Sequence, residues 1–219
     1  MNLPDPIKNF IHYFSKLPSI GPRQATRLAF HVISSGKDEI DGIIKSLKGL
    51  EDMSVCGKCF FVFLPQNKDD KLCEICLDKK RNPKIIAIVE KETDLISIEK
   101  TNKFNGNYFI IGNLQKNGVL GSEQKRRLEK LKDNIKKEMG VADEIIIATN
   151  PTTYGDFNAA ILTKELSAKG GSLPDGRHGA SGGKDYAKKI TRLGRGIPTG
   201  GEIEFADEDT LGNALERRI

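Results

Sequence analysis

A mixed α/β fold is predicted by three features of the 219-residue chain. Apolar residues first recur at helical spacing, four cysteines then stand in two close pairs, and from Lys84 short apolar runs alternate with amphipathic stretches. That last alternation is the mark of a parallel sheet whose strands are joined by helices. Hydrophobic residues make up 37% and charged residues 30%, the balance of a soluble globular chain. No apolar run is long enough to cross a bilayer, and "MNLPDPIKNF" lacks a basic region followed by a signal-like apolar core, so a cytoplasmic protein is expected. A net charge of +5 and a pI of about 8.9 favour a polyanionic partner only mildly, so the placement of the basic residues has to decide.

The stretch "LPSIGPRQATRLAFHVI", Leu17 to Ile33, sets a helix-breaking Pro-Ser-Ile-Gly-Pro between two segments of helical pattern. Ile7, Phe10, Ile11 and Phe14 before it, and Ala25, Leu28, Ala29 and Val32 after it, keep the spacing of one apolar helix face. Pro22 suits the first turn of the second helix, where its missing N–H costs nothing, and Gly21 permits a tight turn. Backbone N–H groups at such a helix start favour a phosphate. Arg23 and Arg27, four residues apart, share a face that extends the contact along a nucleic-acid backbone. This is the pattern of a helix-hairpin-helix DNA-binding motif; the same residues also fit an ordinary αα-hairpin with solvated arginines. A third helix carrying Ile40, Ile43, Ile44 and Leu47 completes a helical unit over residues 1–53.

All four cysteines lie in "CGKCFFVFLPQNKDDKLCEIC". Cys56 and Cys59 form one Cys-x2-Cys knuckle, Cys73 and Cys76 another, with thirteen residues between them. Each knuckle turns two thiolates toward one point, and four thiolates around Zn²⁺ close a tetrahedral site with no open position, so the ion would be structural. Two disulfides are the competing reading, disfavoured in a reducing compartment; an iron–sulfur cluster is a further alternative. The segment assigned to this finger is 54–82.

Residues 83–196 carry the α/β pattern. "IIAIVE", "NYFIIG" and "EIIIATN" read as buried strands and "KKITRLGRG" as a last strand. "TDLISIEK", "SEQKRRLEKLKDNIKKEM" and "DFNAAILTKELSA" read as helices, the last with Asp156 as its N-cap. "KGGSLPDGRHGASGGKD" is dense in Gly and polar residues and reads as a loop, and His178 within it as a solvated histidine.

The hairpin stretch, the four-cysteine segment, "ATNP" after a strand and "GIPTGGEIEFADEDTL" near the end together resemble the RecR family of bacterial recombination mediators along nearly the whole chain. The resemblance implies a helix-hairpin-helix, a zinc finger, a Toprim-like parallel α/β domain and a C-terminal Walker-B-like segment, residues 197–219, that helps subunits join. It also implies a homo-oligomeric ring, a ring of dimers making a tetramer, that encircles DNA without catalysis. Such a ring would help load recombinase at gapped or single-stranded DNA with RecO- and RecF-type partners. Gly21, Arg23 and Arg27 carry over as DNA contacts.

Catalytic Toprim proteins hold Mg²⁺ with a Glu ending the first strand and an Asp-x-Asp after a later one. Glu90 matches the first element, but Asn150 and Thr152 stand where the Asp pair would be, with Asp156 nearby. The rival expectation, a Toprim-type metal-dependent nuclease or primase, is therefore short of carboxylates. The acids of "GGEIEFADED" resemble a Walker B run, yet no phosphate-cradling G-x-x-x-x-G-K-[ST] accompanies them, so Glu204, Asp207, Glu208 and Asp209 are expected to be interface or solvated residues. The chain departs from the family in the wide spacing of its cysteine pairs, the inserted Gly-rich stretch, Tyr154 where a Glu is common, and Gly194-Arg195 where Ala-His is usual. Lys188, Lys189, Arg192 and Arg195 form an alternative basic face.

Overall fold

A computed structural model describes residues 3–114, 119–167 and 186–194, together with 203, 206, 208 and 210–212. His178 with the rest of the Gly-rich stretch, Arg195, Glu204, Asp207 and Asp209 lie outside the described residues. The chain divides into two compact units, Met1–Met53 and Ser54–Ile219.

The first unit is three helices, α1 (Asp5–Phe14), α2 (Pro22–Ser34) and α3 (Lys37–Gly49). Phe10 and Phe14 stack with ring centroids 3.9 Å apart, as their shared face requires. Pro22 opens α2 with Gly21 at the N-cap. The sharp reversal before it is not made by Gly21, whose φ of −86° and ψ of 169° are extended. A residue preceding proline is pushed out of the helical region into extended backbone, and the left-handed position falls instead on Ser19, at φ 64°. Among the described residues of this unit only Ala25 and Ala29 are buried.

The second unit begins with a short antiparallel pair, β1 (Ser54–Val55) and β2 (Val62–Phe63), and one helical turn, α4 (Glu74–Leu77). It continues as β3 (Asn82–Val89), α5 (Glu92–Glu99), β4 (Gly106–Ile110), α6 (Ser122–Glu138), β5 (Ala142–Ala148), α7 (Thr153–Leu166) and β6 (Ala187–Arg192). The four long strands form one parallel sheet in the order β4-β3-β5-β6. After β4 the chain crosses back over β3 to lay down β5, so the strand order reverses at β3, and the crevice beyond its C-terminal end is where such sheets place ligands.

Both faces of the sheet are covered, which is why its strands read as continuous apolar runs. Ile86, Ile88, Ile145 and Ile147 pack against Leu128, Leu131 and Ile135 of α6 and Leu162 and Leu166 of α7. Ala87, Val89, Tyr108 and Ile110 face the other way, against Leu95 of α5 and against Phe61 and Ile75 of the cysteine segment. Among the described residues no helix is long and apolar enough to cross a membrane.

One expected detail is corrected: α7 is capped by Thr152, not Asp156. The Gly155 N–H donates to Thr152 Oγ1 at 3.1 Å, and Thr149 Oγ1 donates to the Gly155 carbonyl at 3.2 Å. Strand end and helix start are drawn so close that a Cβ on Gly155 would lie 1.8 Å from the Asn150 carbonyl oxygen. The first turn therefore begins as soon as Pro151 is past. Gly155→Ala is expected to destabilise the chain by about 3 kcal/mol, at the upper end of ordinary overpacking because the obstacle is backbone. Urea unfolding of the two proteins measures it, and an unchanged midpoint would refute the close approach.

Candidate metal and nucleic-acid sites

The cysteine site is built by two loops that meet. Gly57 N–H donates to the Lys71 carbonyl at 2.8 Å, tying the first knuckle to the segment that enters the second. The four sulfur atoms all lie within 4.8 Å of one another. Thiolates about 2.3 Å from one ion at tetrahedral corners stand about 3.8 Å apart, so the group has the dimensions of a single-ion site. Cys56, Cys59 and Cys73 are buried, Cys76 is half-buried, and none is in a disulfide.

The surroundings divide the four thiols into two pairs. Phe61 N–H points at Cys59 Sγ and Cys73 N–H at Cys56 Sγ, each at 3.4 Å. Hydrogen bonds from Cys59, Cys73 and Cys76 hold the Cys56 thiol well below its ordinary range, and Cys73 is lowered to about 7. Cys59 and Cys76, bonded to Cys56, are held above that range. Four sulfurs gathered in a largely buried nest, with two backbone N–H groups aimed at them, suit a soft or borderline metal ion. All four cysteines are brought together as their spacing predicts.

The hairpin residues are also where the sequence places them. Gly21, Arg23 and Arg27 are exposed, with both arginines on α2 one turn apart. Neither has an acidic partner within ion-pair distance among the described residues, so their charge stays available to an external anion. The alternative basic face differs. Lys188 lies 2.6 Å from Asp143, Lys189 3.7 Å from Glu144, and Arg192 is paired with Asp156.

That last pair occupies the crest of the sheet, where catalytic relatives need Mg²⁺. Glu90 follows β3 and accepts a hydrogen bond from the Asn150 N–H at 3.2 Å. Thr152 is spent on capping α7. The Arg192 guanidinium reaches across from β6 to Asp156 and to Thr149 Oγ1, 3.3 Å away. A guanidinium thus sits beside Asp156 and Thr149 at the end of β5, and each of the two crest carboxylates has a hydrogen-bond donor. Glu90 and Asp156 both stand at the crest, but the Arg192 partner of Asp156 is not legible in the sequence, because its pairing depends on β6 aligning beside β5.

Comparison with known proteins agrees with this architecture. Residues 84–172 match the Toprim domain family model, residues 7–49 the RecR helix-hairpin-helix model and residues 196–219 the RecR C-terminal model. The class is therefore a Toprim protein with a helix-hairpin-helix unit before the sheet. Among curated relatives, the recombination protein RecR of Anaeromyxobacter sp. is 34% identical over 100% of this chain and 98% of its own length. RecR of Mycobacterium leprae is 35% identical over 97% of this chain and 96% of its own. RecR of Paenarthrobacter aurescens is 31% identical over 97% and 95%. The chain belongs to the RecR family.

Because binding of a metal by four thiolates is worth on the order of 10–16 kcal/mol of folding free energy near neutral pH, Cys73→Ser is expected to lose the ion and unfold the segment around it. Metal analysis together with proteolysis reads this out. Protein purified without chelator that is metal-free yet fully protease-resistant would refute a structural metal centre.

Proposed function

We propose that the chain is a non-catalytic DNA clamp of the cytoplasm, acting in recombinational repair by helping to load recombinase at gapped or single-stranded DNA with RecO- and RecF-type partners. The reading assigns DNA contact to the helical unit (1–53), a structural zinc finger to 54–82, partner docking to the Toprim-like domain (83–196) and subunit joining to 197–219. The observation that carries it is the contrast between two sites. Arg23 and Arg27 stand exposed without acidic neighbours at a helix start, whereas the crest that would have to catalyse is filled by Arg192.

Zinc is the ion proposed for Cys56, Cys59, Cys73 and Cys76, since four sulfur ligands in a closed tetrahedron suit a d¹⁰ ion with no redox role. Bound there, it supplies a cross-link between the two knuckles. Gly21, Arg23 and Arg27 are proposed to hold phosphate oxygens: the backbone at the start of α2 receives one, and the two guanidinium groups receive others along the strand. Such contacts position DNA without reading its sequence.

Two arginines neutralise few phosphates, so a single copy would hold DNA weakly at physiological salt. Self-association supplies the repetition, and the helical unit has the surface for it. Tyr13, Phe30, Ile33, Leu47 and Leu50 are each at least half exposed and could be covered when chains associate. A ring of dimers, four chains in all, would line one duplex with four copies of the hairpin and multiply its contacts.

Changing Arg23 and Arg27 together to Ala is expected to weaken DNA binding alike on all sequences. It should also lower the slope of log K against log salt by about one for each phosphate that the variant no longer neutralises, with oligomer size and metal content unchanged. Affinity measured across a salt series decides, and an unaltered slope would leave the hairpin as mere packing. The rival nuclease or primase reading is tested separately: the protein incubated with DNA and Mg²⁺ or Mn²⁺ is expected to give no cleavage or priming. Metal-dependent turnover abolished by Glu90→Gln would establish the rival.

A further inference from the structure

Phe60 follows the second cysteine of the first knuckle with φ at 66°. The left-handed region normally falls to glycine, and a bulky residue held there costs on the order of 1–3 kcal/mol unless its surroundings over-determine it. The knuckle's backbone explains why the conformation is imposed. Phe60 N–H donates to the Cys56 carbonyl at 3.1 Å and Cys56 N–H to the Phe61 carbonyl at 2.8 Å, closing the loop around the sulfurs. It does not explain why a phenylalanine occupies the position.

The ring explains that. It leaves the knuckle and meets Phe109 of β4 edge to face, centroids 5.5 Å apart at 85°. The Arg127 guanidinium of α6 lies 4.7 Å from its centroid on a cation–π contact. Arg127 Nη1 in turn donates to the Ile110 carbonyl at 3.1 Å, and the Ile110 N–H donates to the Cys59 carbonyl at 2.9 Å. Cys59 precedes Phe60, so the contacts close a circuit: metal ligand, edge strand, arginine, ring and back to the ligand. β4 lies at the edge of the sheet, and an unpaired apolar edge is a template for strand addition. Here that edge is held by the knuckle.

We propose that the four-cysteine site is a metal-operated latch on the β4 edge: an ion on the thiolates holds the Cys59 carbonyl and the Phe60 ring against β4, and loss of the ion frees the strand end around Ile110. Phe60 and Arg127 are the positioning residues that carry the coupling. Neither touches the ion. The inference rests on the reading of the cysteines as a metal site and adds to it a reciprocal consequence: whatever loosens Phe60 or Arg127 also loosens the metal.

The test uses the full-length protein loaded with one equivalent of Zn²⁺. It follows amide exchange at Ile110, exchange at Ile145 to Ile147 of β5 as an internal reference, and transfer of zinc to a chromophoric chelator. Phe60→Gly relieves the backbone strain but removes the ring. A latch predicts that this variant still binds one zinc but releases it faster, by up to roughly tenfold, and exchanges Ile110 faster by a similar factor, the lost aromatic pair and cation–π contact outweighing the strain relieved. Strain relief without a latch predicts the opposite sign, slower release and a higher melting temperature, and would overturn the proposal. Arg127→Met leaves the knuckle untouched and is expected to accelerate both processes, so the coupling is read even if the glycine variant folds poorly. Stripping zinc from the wild type should expose Ile110 while β5 stays protected; loss of protection at both together would overturn a latch in favour of a metal that holds the whole domain. Wild-type protein that binds no zinc would end the metal reading and the latch with it, whereas zinc bound with Ile110 exchange indifferent to it would end the latch alone.

Discussion

A parallel sheet buried on both faces is the constraint around which the second unit is arranged. β3 runs between β4 and β5, and its side chains alternate strictly, Ile86 and Ile88 to one side, Ala87 and Val89 to the other. The first side is covered by two long helices, α6 and α7. Among the described residues the second has α5 as its one helix, and an eight-residue helix cannot cover a face with both Tyr108 and Ile110 on it. The deficit is made up from outside the α/β pattern. Phe61 and Ile75, each beside a cysteine knuckle, complete that face, and the Cys59 carbonyl takes the outward N–H of Ile110. The cysteine segment in front of the sheet is thus a third layer rather than an appendage.

The same economy governs charge at the crest. Mg²⁺ is usually held by one or two carboxylates together with waters and substrate phosphates, and the crest of this sheet carries one carboxylate after β3, Glu90, and one on α7, Asp156. Each is engaged elsewhere: Glu90 receives the Asn150 N–H, and Asp156 receives Arg192. The Arg192–Asp156 pair is partly open to solvent, so it screens the acid without locking it in place. The crest thus carries a mixed charge pattern, one acid with a cationic partner and one with a backbone donor.

Periodicity and spacing carried much of this into view. The helices around residues 5–49 follow from their apolar faces, the strands from runs such as "IIAIV" and "EIIIA", and the cysteine group from two Cys-x2-Cys pairs. What stayed hidden depends on neighbours distant in sequence or on the chemistry of the next residue. Asp156 and Thr152 are both good helix caps locally, and only the packing of Gly155 on the Asn150 carbonyl selects threonine. Gly21 is the obvious turn residue until Pro22 forces it into extended backbone and hands the left-handed position to Ser19. Phe60 is invisible for the opposite reason: a left-handed phenylalanine contradicts local preference, and the compensation comes from Phe109 and Arg127, 49 and 67 residues further on.

The helical unit reads differently from the sheet, and the difference bears on how DNA binding is reached. Among its described residues only two alanines on α2 are buried, while Tyr13, Phe30, Ile33, Leu47 and Leu50 of the same unit are at least half exposed. α2 therefore carries both kinds of exposed side chain, Arg23 and Arg27 on one hand and Phe30 and Ile33 on the other. If chains associate through the apolar residues, as the proposed function requires, association would order the arginines relative to one another before DNA arrives. The entropic cost of aligning separate phosphate contacts would then be met in assembly rather than in binding. Individually weak, screened charge pairs would become a cooperative set in this way, with a strength governed by the concentration and stability of the oligomer as much as by salt.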